Sequence, residues 1–90
     1  MTRDELTELT GDDDLLFADG FDDCIIGVTE YQPGRLQLVV YDAQAMLRQL
    51  VEKDGLTEED AAEHLSFNTF GAWAGERTPV YVNLGDTPCR

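Results

Sequence analysis

Lysine is almost missing from this sequence. Lys53 stands alone, and five arginines complete the basic residues against nineteen acids, a net charge of −13 at neutral pH. No basic stripe is left to neutralise phosphates, which argues against nucleic acid and anionic membranes as direct ligands. Histidine occurs once, at His64, and no nucleophile or paired acid stands near it in a recognisable catalytic spacing. Cysteine occurs twice, at Cys24 and Cys89, without a CxxC or zinc pattern. No disulfide is expected between them, because nothing indicates an oxidising compartment. No apolar run approaches the ~20 residues that cross a bilayer. The opening Met1-Thr2-Arg3-Asp4-Glu5 lacks the apolar core of a signal peptide, so a cytoplasmic protein is expected. Internal repeats and Pro/Gly/Ser linkers are lacking, as are the P-loop, GxGxxG, HExxH and zinc-deaminase signatures.

What is present fits one thin core. Ninety residues, 42% of them hydrophobic, with aromatics spread from Phe17 to Tyr81, are enough for one small domain. The charge is uneven: residues 1–23 hold nine acids against Arg3 alone. Two readings of the acidity stay open. Abundant short carboxylates suit solubility or a salty cytoplasm, and ordered carboxylates can also stand where the phosphates of a polyanion would be.

Along the chain, Thr2 and Glu5 form a capping-box pattern. A short helix follows, with Leu6 and Leu9 on one side and Gly11 ending it. Leu15-Leu16-Phe17-Ala18 is an apolar patch that clips onto the core or onto a partner. Residues 24–31 read as a strand, with Gly27 marking a bulge or a close backbone approach. Gln32-Pro33-Gly34-Arg35 fits a type II turn. Residues 36–42 alternate as a second strand and close a hairpin. From Ala43 to Asp54 the period becomes helical, with Ala43, Met46, Leu47 and Leu50 in one stripe and Gly55 beyond the end. Thr57 caps a second helix whose face holds Ala61, Ala62, Leu65 and Trp73, with Phe67 outside it. Residues 79–84 read as a third strand, able to pair antiparallel with the second or parallel with the first. The expected fold is α+β: a β-β-α-α-β domain over 24–84, with a three-stranded sheet and two helices on one face. Before it stands an acidic segment over 1–23, a short helix or a mobile stretch, and after it a tail over 85–90.

Asp12-Asp13-Asp14 and Asp19-Gly20-Phe21-Asp22-Asp23 crowd carboxylates in a way that attracts cations, yet the calcium-loop spacing fails. No metal, cofactor or catalytic residue is assigned. The acids Asp12, Asp13, Asp14, Asp19, Asp22 and Asp23 are candidate steering charges for a basic protein partner, and Phe17, Phe21, Phe67 and Trp73 are candidate apolar anchors.

Some stretches are distinctive. These are Phe17-Ala18-Asp19-Gly20-Phe21-Asp22-Asp23, Ile26-Gly27-Val28, Val40-Tyr41-Asp42, the run from Asp54 to Ala61, and the run from Phe67 to Val80. On them, residues 17–82 resemble a family of small proteins encoded by phages and prophages. The resemblance implies a genomic setting and transfers no mechanism. Small acidic phage proteins without catalytic motifs often bind and block a host protein, so a non-enzymatic, protein-binding accessory protein is the leading expectation. The alternative is a structural or self-associating module whose acidity only gives solubility or salt adaptation.

Overall fold

The computed structural model describes residues 2–12, 14–18, 20–67 and 75–84. Its elements are α1 (Arg3–Thr10), a 3₁₀ turn at Asp22–Cys24, β1 (Ile25–Val28), β2 (Val39–Asp42), α2 (Ala43–Asp54), α3 (Glu58–Leu65) and β3 (Val80–Val82). The three strands form one mixed sheet in the order β1-β2-β3. The fold is thus a small α+β arrangement with an additional N-terminal helix.

The first helix forms through its caps. Thr2 accepts from the Glu5 backbone N–H, and the Glu5 side chain accepts in return from the Thr2 N–H. Gly11 turns the chain left-handed at φ 67° and donates its N–H to the Thr7 carbonyl. Of the two leucines expected to dock, Leu6 is fully buried while Leu9 stays two-thirds exposed. Eight residues make too short a helix to persist alone, so the insertion of Leu6 holds α1 in place.

In the hairpin, β1 and β2 pair antiparallel with a bulge between Ile25 and Gly27. In a regular strand Ile25 and Val28, three residues apart, would point to opposite faces. The extra residue Ile26 corrects the phase, so that Ile25 opposes Tyr41, Val28 opposes Val39, and both pack on the core. The turn is as expected: Arg35 N–H donates to the Gln32 carbonyl, and Gly34 has φ 80°. Both strands are shorter than their patterns predict. Beyond Val28 the hairpin closes partly through side chains, with the Leu38 N–H bonded to Thr29 Oγ1 and Gln37 Nε2 bonded to the Thr29 carbonyl.

Helix α2 matches its predicted span and stripe, with Ala43, Met46 and Leu50 buried. Asp42 caps it, accepting from the Gln44 and Ala45 N–H groups, a role that its place at a strand end conceals. Thr57 caps α3 as expected, and Ala61 and Leu65 are buried, but Ala62 is exposed.

The pairing of β3 corrects the expectation. It runs parallel to β2, with Val40, Tyr41 and Asp42 opposite Val80, Tyr81 and Val82. The sequence reading let the helix pair alone return the chain. Fourteen residues separate Leu65 from Val80, however, enough to carry the chain back along the sheet before β3 begins. Tyr81 thereby faces the core beside Tyr41, with ring centroids 5.8 Å apart. One cluster joins Leu6, Leu15, Phe21, Ile25, Val39, Tyr41, Met46 and Leu65. The acidic run 1–23, set apart above on charge, therefore shares its core with the rest of the chain.

Candidate functional site

The acidic segment is tied down by the cations of the chain. Arg3 Nε donates to both Asp22 carboxylate oxygens, at 2.9 and 3.0 Å. The same guanidinium lies 4.8 Å from the centre of the Phe17 ring. Arg77 reaches across from the other end of the chain to Asp12, whose second oxygen accepts the Asp14 N–H at 2.8 Å. The Arg77 hydrogen bond, then the Asp14 N–H, hold the Asp12 carboxyl below its usual 3.8. Lys53 stands 3.9 Å from Asp23, with both side chains mostly in water, so this pair contributes little. Two further contacts clip the segment. Tyr41 Oη accepts the Ala18 N–H at 2.7 Å, and Gln49 Nε2 donates to the Gly20 carbonyl. These contacts clip the described residues of the segment to the rest of the chain. Asp12, Asp22 and Asp23 face cations of their own chain, and Asp14 is exposed. Asp13 and Asp19 lie outside the described residues.

The aromatic anchors divide in the same way. Phe21 is buried in the core cluster, which corrects its place among the anchors: little of its ring is left for a partner to touch. Phe17 packs against the core beneath Arg3. Phe67 is 81% exposed, as its position off the α3 stripe implies. Trp73 lies outside the described residues.

Sequence reasoning missed a different apolar surface. Leu9 and Tyr31 are each about two-thirds exposed, and they line one open cleft of about 550 Å³ between the end of α1 and the hairpin. Thr10, Val28, Thr29, Glu30 and Gln37 complete its wall. Glu30 accepts the Tyr31 N–H at 3.0 Å through Oε1. Its second oxygen and the Tyr31 hydroxyl have no protein partner among the described residues. The available signal was Tyr31 itself, a large ring just before a Pro-Gly turn, where the chain is leaving its sheet. A second depression, about 410 Å³, lies between α2 and α3 and is lined chiefly by Ala43, Leu47, Ala62 and Leu65.

Among the described residues, no three His, Cys, Asp or Glu side chains gather so as to hold a metal ion. His64 is exposed on α3. Cys24 is a buried free thiol, pushed up by burial and then by the charges of Asp42 and Asp23. No described helix is long and apolar enough to cross a membrane. Comparison with protein-family models, with curated proteins and with solved structures yields no match.

Proposed function

We propose that this chain is a non-enzymatic accessory protein of phage type that acts in the host cytoplasm by binding a basic protein. The supporting observation is the pairing of two surface properties: a net charge of −13 and exposed apolar side chains at Leu9, Tyr31 and Phe67. The charge attracts a basic partner from a distance, and apolar contact then holds it. A partner that itself binds nucleic acid would find carboxylates where it otherwise meets phosphates, and would be blocked.

Affinity capture from a host lysate tests this reading. A basic protein is retained at low salt and released near 1 M, where the Debye length has fallen to about 3 Å. Capture indifferent to salt overturns electrostatic attraction. A second reading, self-association, draws on the position of β3 at an edge of the described sheet. Light scattering separates the two, since a monomer across the working concentration range rejects the self-associating module.

A further inference from the structure

The cleft between α1 and the hairpin has the chemistry of a receptor for one kind of side chain. Leu9 and Val28 offer apolar wall, Tyr31 offers an aromatic ring largely in water, and Glu30 offers a carboxylate oxygen with no protein partner among the described residues. An arginine carries three methylenes and a planar cation. Its stem packs on aliphatic wall, its guanidinium stacks on an aromatic face, and its N–H groups bond a carboxylate. Lysine uses the first two features but lacks the planar fork. Arg35 is the cation of the adjacent turn.

The wall is pre-formed. Thr29 donates its N–H to the Leu38 carbonyl and accepts the Leu38 N–H through its hydroxyl, both at 2.8 Å. Gln37 closes the same end through the Thr29 carbonyl. Little backbone ordering is therefore needed when a side chain enters, and the cost falls on the exposed side chains of Glu30 and Tyr31.

We propose that the Leu9–Tyr31 cleft is the docking point for an arginine side chain presented by the basic partner, with Glu30 and Tyr31 as the recognising pair. This rests on the reading of the protein as a binder of a basic partner, and it names where that partner is gripped.

The probe is a short synthetic peptide alternating leucine and arginine, with a twin in which glutamate replaces arginine. Each is titrated into the full-length protein and followed by amide NMR shifts. The arginine peptide shifts Leu9, Glu30, Tyr31 and Gln37, and the twin does not. Glu30→Gln and Tyr31→Ala each weaken binding about tenfold, the size of a lost charge-assisted or cation–π contact. Glu59→Gln, which removes the same charge from exposed α3, changes it less than about twofold. All three substitutions fall on exposed side chains, and the unshifted remainder of each spectrum verifies the fold. Shifts spread over α3 and Asp22–Asp23, or equal losses in Glu30→Gln and Glu59→Gln, overturn the cleft while leaving the basic-partner reading standing. Equal binding of the glutamate twin overturns the charge complementarity. No binding of the arginine peptide anywhere overturns both.

Discussion

Tyr41 does two jobs with one side chain. Its ring is fully buried beside Tyr81, and its hydroxyl accepts the Ala18 N–H of the acidic segment. Burial raises the pKa of this hydroxyl, with the Ala18 bond opposing the shift. Tyr41→Phe keeps the ring and leaves the Ala18 N–H without its partner, so it should destabilise the fold by about 1–3 kcal/mol in urea unfolding. A loss confined to a few tenths would mean that the clip closes without this bond. Asp12 makes a pH-dependent contribution. Its folded carboxyl is held below the ordinary 3.8, so the folded chain takes up this proton less readily than the unfolded one. The stabilisation is whole above about pH 4 and is lost as pH falls through the lowered folded value. Asp12→Asn should therefore be less stable than the wild type near neutrality, with the difference closing in acid. A thermal unfolding series across pH measures the gap, and a pH-independent gap refutes the role of the Arg77 pair.

At the scale of elements, the docking of α1 separates what was legible in the sequence from what was not. The capping box, Gly11, the Pro33-Gly34 turn, the α2 stripe and the Thr57 cap are local signals, and each appears where its spacing places it. The docking of the acidic segment was not legible. It depends on Leu6, Leu15 and Phe21 reaching a core assembled from distant residues. The direction of β3 depends on the path between Leu65 and Val80, which no local pattern specifies. The binding cleft was hidden for a related reason: Leu9 and Tyr31 are 22 positions apart (31 less 9) and meet only through the fold. Leu6→Ala tests the docking. It should cost about 2–5 kcal/mol, a large share of the stability of a small domain. Limited proteolysis should then cut near residues 10–20. If the variant unfolds at the wild-type urea midpoint, α1 is not part of the cooperative unit.

Over the whole molecule, repulsion opposes compaction. A charge of −13 on ninety residues, with Arg3, Lys53 and Arg77 already facing Asp22, Asp23 and Asp12, leaves an excess of carboxylates facing water. Sodium chloride should therefore raise the Tm steadily from low ionic strength to about 1 M, as the screening length shortens from tens of ångströms to about 3 Å. A falling Tm would mean that the ion pairs outweigh the repulsion. The same field is the proposed means of partner capture, so salt should stabilise the free protein while weakening its complex. The association rate of the captured basic partner, followed by stopped flow as ionic strength rises, tests that claim most directly. The rate should fall by about tenfold or more while dissociation hardly changes. An association rate that is flat across the same range would contradict it.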